Sequence, residues 1–345
     1  MTTTPSKSRI WSISIMALLV VGMVFTGWSG RASGAAQLPD NYPDQPIEFI
    51  VQYAPGGGSD NFARMITSVL AQEGLSDATF NVINREGGSG SVGQAYVAGK
   101  EGDNYTLMTM TSALVTGPLV LGLEHNFEDF TPIARLAADQ LLIVVPAASE
   151  FQTIEDLLEA AKAAPDEVSW GGTGLGGEDS LLLGQLEKAS GANLNYISFE
   201  SGGEVQVALL GGHIDVASSN PNEIIGQLEA GELRPLAVAG DARLEGLPDV
   251  PTLQEKEFDV LYQQARGVVG PPGMDPEVAQ YWADLLKEMT ETERWQTEYL
   301  EKNMLLDAYL GPEEFTQWMV EETAATQALI EEMGLAPATA ATPAA

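Results

Sequence analysis

One stretch, residues 47–70, constrains the fold more than any other. Residues 47–53 form an apolar run that predicts a buried strand, and the proline and glycines at 55–58 end it. Apolar positions then recur with helical spacing, and Ser59 or Asp60 is the predicted N-cap. A helix that starts at a bare glycine turn presents unpaired N–H groups, which attract anions. An ordinary βα turn fits the same letters. Asp60 is expected either to fix this loop or to accept a hydrogen bond from a ligand or a water.

The same succession of apolar run, small-residue loop and helical pattern recurs along the chain. Strands that alternate with helices at this spacing predict an α/β protein with mainly parallel sheets. The loops after the strands meet at the carboxyl ends of such sheets, where ligands bind. These loops are 55–60, 111–112, 171–177, 201–203 and 218–220. None of them contains lysine or arginine, so backbone N–H groups and hydroxyls are expected to hold a small carboxylate.

The sequence predicts two domains and two segments outside them. Residues 1–36 carry basic residues, an apolar run and a small-residue end, which predict a cleavable signal peptide; a membrane anchor is the alternative, but the apolar run is short for one. Residues 43–140 and 262–333 are predicted to form the first domain, which holds both ends of the folded part. Residues 147–257 form the second. The Ala/Pro/Thr-rich residues 336–345 are predicted to be disordered.

Several kinds of site are disfavoured by composition. The chain has no cysteine and two histidines, which excludes disulfides and thiol nucleophiles and disfavours zinc. Two segments, 88–93 and 172–177, match GxGxxG, but neither lies in the first βαβ unit, so a dinucleotide is not expected. No serine, histidine and aspartate set recommends itself as catalytic machinery. We therefore expect no cofactor, no metal and no enzyme activity.

The chain is strongly acidic. Its formal net charge is −33, and about −36 without the basic residues of 1–36. Such a chain is not expected to bind nucleic acid or an anionic membrane. The acidic residues are spread along the predicted helices, which indicates a halophilic acidic surface, because high salt screens their repulsion.

An ordered series of motifs resembles the periplasmic solute receptors of tripartite tricarboxylate transporters, the Bug family. The resemblance covers nearly all of the chain after the predicted signal peptide. Its first strong motif is Ala54-Pro55-Gly56-Gly57-Gly58-Ser59-Asp60 with Ala63-Arg64. The other motifs are 42–47, 84–88, 104–107, 129–133, 172–174, 210–215, 231–238 and 247–252.

The resemblance implies a fold, a function and a site. The fold is that of a type II periplasmic binding protein, with two α/β domains that close on a ligand like a flytrap. The function is to capture a small organic acid and deliver it to a two-subunit membrane permease, with the receptor acting as a periplasmic monomer. The implied pocket takes Tyr53, Gly57, Gly58, Asp60, Thr111 and Ser112 from the first domain, and Thr173, Gly174, Gly202, Gly203 and Asn220 from the second.

The sequence departs from the family pattern at three positions. Glu86 replaces a proline, Glu200 replaces a lysine, and Ser180 lies where a histidine is common. The last two flank the implied cleft, so a ligand with an amine, an amide or fewer carboxylates has to be considered. Two other functions stay open: presenting a ligand to a membrane sensor kinase, and catalysis by a periplasmic α/β enzyme.

Overall fold

The computed structural model describes Leu38 and residues 41–173, 177–199 and 202–332. The predicted signal peptide, the predicted disordered tail, Glu200 and Gly174 lie outside the described residues. The strands are β1 (Ile47–Val51), β2 (Phe80–Asn84), β3 (Thr106–Thr111), β4 (Thr131–Gln140), β5 (Leu142–Pro146), β6 (Ser169–Thr173), β7 (Asn195–Phe199), β8 (Val216–Ser219), β9 (Leu233–Val238), β10 (Gln263–Gly270) and β11 (Leu306–Leu310). The α-helices are α1 (Gly58–Gln72), α2 (Ser91–Ala98), α3 (Ala113–Leu121), α4 (Ile154–Ala163), α5 (Glu178–Ser190), α6 (Gly202–Leu210), α7 (Pro221–Glu229), α8 (Pro276–Thr290) and α9 (Pro312–Glu332).

The strands form two sheets, which confirms the α/β class. The six-stranded sheet has the order β11-β4-β10-β3-β1-β2, and the five-stranded sheet has the order β7-β6-β8-β5-β9. In the first, β10 is antiparallel to both of its neighbours. In the second, β5 is antiparallel to both of its neighbours. The remaining strands share one direction in each sheet, apart from the edge strand β11. The sheets are therefore mainly parallel in strand direction, with one reversed strand inserted.

The two sheets share one plan. The order β2-β1-β3-β10-β4 in the first corresponds to β7-β6-β8-β5-β9 in the second. Strand β1 with helix α1 therefore occupies the place that β6 with α5 occupies in the other sheet. In both units a parallel strand leads into a glycine-containing loop and then into a helix.

Apolar runs are buried on both faces of the sheets. Ile143 and Val145 of β5 pack into one core cluster, and the alternate residues Leu142 and Val144 pack into another. All four are fully buried. A strand covered on both faces needs no polar side, which explains its continuous apolar sequence.

The chain crosses between the sheets at two adjacent places. It passes from β4 to β5 through Leu141 and returns from β9 to β10 through residues 239–262. The Ala239 N–H donates to the Leu141 carbonyl at 2.8 Å, and the Tyr262 N–H donates to the Ala239 carbonyl at 2.8 Å. The residues on either side of these crossings are therefore held close together.

Helix α9 contacts the cores of both sheets. Phe315 and Met319 pack in a cluster of the six-stranded sheet, whereas Leu329 and Ile330 pack in one of the five-stranded sheet. The predicted boundaries assign this helix to the first domain alone. Within the described residues, no helix has the length and apolar character to cross a bilayer.

Candidate functional site

The first glycine loop leads into α1 at Gly58, earlier than predicted. Gly57 is the N-cap and has no side-chain capping bond. Ser59 and Asp60 lie inside the first turn, so their prediction as N-caps is wrong. The residue before the helix needs an extended backbone, which Gly57 adopts with φ −75° and ψ 173°. The first N–H groups of the helix have no partner within it, and no capping side chain covers them.

Asp60 fixes this loop. Its Oδ2 accepts from the Gly56 N–H and from Arg64 Nε, both at 2.9 Å, and its Oδ1 accepts from Asn84 Nδ2 at 3.0 Å. Burial opposes the charge of Asp60, but the bonds from Arg64, Gly56 and Asn84 outweigh it, so the pKa of this carboxyl is lowered. Of the two predicted roles, the structure therefore shows the loop-fixing one.

A cavity of about 300 Å³ lies where the helix starts of the two sheets meet. Its wall includes Gly58 and Ser59 of α1 and Glu178 of α5. Strand β10 contributes Gln264 and Arg266. An apolar part of the wall comes from α3 and the loop after it: Ala113, Val120, Leu121 and Leu123.

The structure brings six of the predicted site residues to this cavity. They are Tyr53, Gly58, Thr111, Ser112, Thr173 and Asn220. Four others are described but lie outside its wall: Gly57, Asp60, Gly202 and Gly203. Gly174 falls outside the described residues. The cavity therefore collects the predicted strand-end residues of both sheets.

Several predicted residues use their polar groups inside the protein. The Thr173 N–H and hydroxyl both donate to Asp179 Oδ2, at 2.7 and 2.8 Å. The Ser112 hydroxyl accepts from the Ala265 N–H at 2.9 Å. Asn220 Nδ2 donates to Asp139 Oδ2 at 3.1 Å. These residues shape the cavity by joining its walls.

A buried ion pair anchors one side of the cavity. Arg266 Nη2 donates to Asp139 Oδ2 at 2.5 Å, and the two side chains are 6% and 0% exposed. Burial disfavours the charged guanidinium, but Asp139 outweighs burial and raises the pKa of Arg266. Arg266 Nε has no hydrogen-bond partner among the described residues.

The guanidinium of Arg266 lies against the start of α1. A Cβ added at Gly58 would come within 2.8 Å of Arg266 Nη2 and 2.9 Å of Nη1. Glycine at this position therefore leaves room for the guanidinium. A positive side chain and the positive end of a helix dipole meet here, and together they favour an anion.

Helix α5 begins with a buried aspartate as well. Asp179 accepts from the Thr173 N–H and hydroxyl and from the Ser218 hydroxyl at 2.5 Å. A Cβ on Gly172 would come within 2.4 Å of Asp179 Cβ, so glycine is required for this approach. Burial raises the pKa of Asp179, although the bonds from Ser218 and Thr173 act against the shift.

Two further carboxyl groups, those of Glu178 and Glu223, line the cavity. Burial, Asp179, Asp139 and Glu223 raise the pKa of Glu178 well above its usual value, and Arg266 only partly offsets them. Burial, Asp139 and Asp179 likewise raise the pKa of Glu223. Acidic groups therefore outnumber the basic Arg266 at this site.

Sequence reasoning missed the charged residues of the wall. Arg266 stands alone as a charge within the apolar run 265–270 of a central strand, and a buried charge of this kind requires a partner. Glu178 and Asp179 directly follow the loop 171–177. The sequence contained these signals, but the prediction considered only the residues of the loops, and these three residues lie outside them.

The fold has counterparts among known proteins. The model of the tripartite tricarboxylate transporter family receptor, TctC, matches residues 63–335. The chain belongs to this family. The predicted resemblance is therefore confirmed, and the chain is a solute-binding receptor of the periplasmic type, a class that argues against an enzyme.

Relatives and solved structures agree with this assignment. BugT of Bordetella pertussis is 29% identical over 274 residues, which cover 77% of this chain and 82% of BugT. A TctC solute-binding protein from Polaromonas is 30% identical and has a TM-score of 0.72, over 85% of this chain and 100% of that one. An R. palustris protein with adipate has a TM-score of 0.77 at 24% identity, over 86% and 100% of the two chains. At 24% identity, the likeness to the R. palustris protein shows a shared fold and nothing more.

No group of three or more histidine, aspartate or glutamate side chains suited to a metal ion occurs among the described residues.

Proposed function

We propose that this receptor captures a small organic acid in the cavity between its two sheets and delivers it to a two-subunit membrane permease. Family membership supports the receptor role. The adipate bound by the structurally similar R. palustris protein supports the ligand class. The six predicted residues in the cavity wall are proposed to contact the ligand.

The observation that carries the proposal is the meeting of two anion-binding features at one cavity. The start of α1 supplies backbone N–H groups without partners in the helix, and Arg266 supplies a buried guanidinium. Both Gly58 and Arg266 line the cavity. A carboxylate placed there would be attracted by both, in addition to Asp139, which already balances the charge of Arg266.

Ligand capture is proposed to use the two predicted domains, residues 43–140 with 262–333 and residues 147–257. A ligand that contacts both domains favours the closed arrangement by its higher affinity for it. The adjacent chain crossings near Leu141 and Ala239 are where such a motion would be centred. The permease would then recognise the closed receptor.

The proposed function also includes export to the periplasm. Residues 1–36 are proposed to act as a cleavable signal peptide. The chain has no cysteine to carry a lipid anchor, so the mature receptor is proposed to be free in the periplasm. It is also proposed to act as a monomer.

A thermal-shift screen tests this function. Purified protein in about 1–2 M salt, where charge repulsion is screened, is melted with mono-, di- and tricarboxylates, amino acids and aromatic acids. A ligand at 100 times its dissociation constant adds about 2.7 kcal/mol to the free energy of unfolding and raises Tm by several degrees. A selective hit that is recovered chemically unchanged supports the receptor. Turnover of the hit, or a cooperative melt that no compound shifts, contradicts it.

A further inference from the structure

We infer that the ligand of this receptor is a small zwitterion, whose carboxylate binds at Arg266 and the start of α1 and whose protonated nitrogen binds at Glu178. This inference rests on the proposed receptor function and names the ligand class more closely. Both Glu178 and Arg266 line the same cavity.

The Glu178 carboxyl has an oxygen that the protein leaves without a hydrogen-bond donor. Its Oε2 is shielded from bulk solvent and has no hydrogen-bond partner among the described residues. A buried carboxylate oxygen without a donor is costly, and a protonated nitrogen placed beside this carboxylate in the cavity would offset that cost. Glu178 is also the first residue of α5, so its carboxyl belongs to the start of a helix.

The other buried acids near the cavity accept hydrogen bonds from the protein, although Asp139 Oδ1 has no partner among the described residues. Asp139 accepts from Arg266 and Asn220. Asp179 accepts from Thr173 and Ser218. Of these three acids, Glu178 is the one that lines the cavity, and Arg266 in the same wall retains an unpartnered Nε.

The start of α6 disfavours a second anion. Glu223 lies against it, since a Cβ added at Gly202 would come within 2.5 Å of Glu223 Oε2. The carboxylate of Glu223 thus lies beside Gly202, one of the two glycines that were expected to bind ligand. A ligand carboxylate on this side would face Glu223 and Glu178, whereas a protonated nitrogen would be attracted by both.

The inferred ligand has an organic cation and not a metal ion. The described residues contain no cluster of three side chains suited to a metal. The cavity volume of about 300 Å³ suits a molecule the size of an amino acid.

Matched ligands provide the test. Calorimetric titration of the full receptor in about 1 M salt compares each amino acid with its des-amino acid and with its decarboxylated amine. For γ-aminobutyrate these counterparts are butyrate and propylamine. For glutamate the des-amino counterpart is glutarate. The wild-type receptor is expected to bind a zwitterion at least about tenfold more tightly than either of its counterparts. Comparing ligands tests the Arg266 side without a substitution in the buried ion pair.

Three variants assign the nitrogen subsite. Glu178→Gln is expected to weaken zwitterion binding at least about tenfold and to bind the des-amino acid more tightly than wild type. Glu229→Gln, an exposed residue of α7 outside the cavity wall, controls for the loss of one negative charge. Loss of the preference in Glu223→Gln but not in Glu178→Gln overturns the assignment to Glu178.

The outcomes separate this inference from the proposed function. Tight binding of a des-amino carboxylate, unchanged in Glu178→Gln and equal to or above that of its zwitterion, overturns the inference and leaves the receptor function standing. Binding of neither class by a cooperatively folded receptor overturns both. Recovery of a zwitterion with the expected response of the Glu178 variant supports both.

Discussion

The starts of α1 and α5 have the same local structure, but the charged side chains beside them have opposite signs. In each, a parallel strand leads through glycines to a glycine N-cap and then to a helix whose first turn holds a buried aspartate. Each aspartate binds the preceding loop: Asp60 binds Gly56, and Asp179 binds Thr173. At the first helical position, however, Gly58 admits the guanidinium of Arg266, whereas α5 has Glu178.

The difference shows how one local structure can serve two kinds of ligand group. The backbone of either start favours an anion. Arg266 adds to that preference at α1, and Glu178 reverses it at α5. Four substitutions or pairs of substitutions measure this difference, in order of expected effect.

The largest effect is expected from removing the charge beside α1. Arg266→Met leaves Asp139 buried and unpaired, so the free energy of unfolding should fall by about 3–5 kcal/mol. Urea unfolding at constant high salt measures it. Arg266→Met with Asp139→Asn should recover part of the loss, because no unpaired buried charge remains. A loss below about 1 kcal/mol in the single variant, the scale of an exposed ion pair, would show that the pair is solvated.

The second-largest difference between the two helix starts is expected when alanine replaces the glycine at each close approach. Gly172→Ala meets the Cβ of Asp179 and should lower the free energy of unfolding by about 1–3 kcal/mol. Gly58→Ala meets only the end of the Arg266 side chain and should cost less. Denaturant unfolding compares the two variants. Equal losses would contradict the stated difference in packing.

Asparagine at the two buried aspartates should give different results at pH 7. The lowered pKa of Asp60 contributes stability above its ordinary value of 3.8, which is lost as pH falls through its folded value. The raised pKa of Asp179 contributes stability when the pH is below the ordinary aspartate pKa of 3.8. This stability is lost as the pH rises through the pKa of Asp179 in the folded protein. Asp60→Asn should therefore destabilise by about 1–2 kcal/mol, and Asp179→Asn should be nearly neutral. Unfolding at pH 5 and pH 7 tests both, and the reverse ranking at pH 7 would contradict the assignment.

The smallest effect is expected at the first residue of α5. Glu178→Gln should raise Tm of the ligand-free receptor by about 2 °C, the shift that about 1 kcal/mol produces, because it removes an unpartnered acid near Asp139, Asp179 and Glu223. The gain should disappear as pH falls through the raised pKa of Glu178, where wild type is protonated too. The exposed Glu229→Gln should change stability by less than about 0.5 kcal/mol. A lower Tm for Glu178→Gln at pH 7 would show that the carboxylate is stabilised by the protein.

Much of the fold could be predicted because it depends on local patterns. The apolar run of β5 and the strand-glycine-helix pattern at α1 both report burial and turn chemistry within one stretch of sequence. Strand β4 carried no prediction. Its sequence includes Pro132, Arg135 and Asp139, and its strand character depends on pairing with β10 and β11.

The site was only half predictable for a related reason. Residues at strand ends, such as Thr111 and Asn220, could be placed because parallel strands end at one edge. Arg266 lies within β10, and only the insertion of β10 between β3 and β4 brings it to Gly58 and Asp139. Sequence spacing carries no information on that insertion. The predicted halophilic surface stays a prediction.

A carbon-13 titration of the glutamate and aspartate carboxyl groups tests most directly whether the Glu178 carboxyl at the start of α5 lacks the stabilising donors that the Asp60 carboxyl has at the start of α1. Glu178→Gln and Asp60→Asn assign the two signals. In the ligand-free receptor, Glu178 is predicted to titrate well above 4.5 and Asp60 below 3.8. A Glu178 carboxyl that titrates at or below 4.5 would contradict the account, because α5 would then hold a stabilised anion just as α1 does.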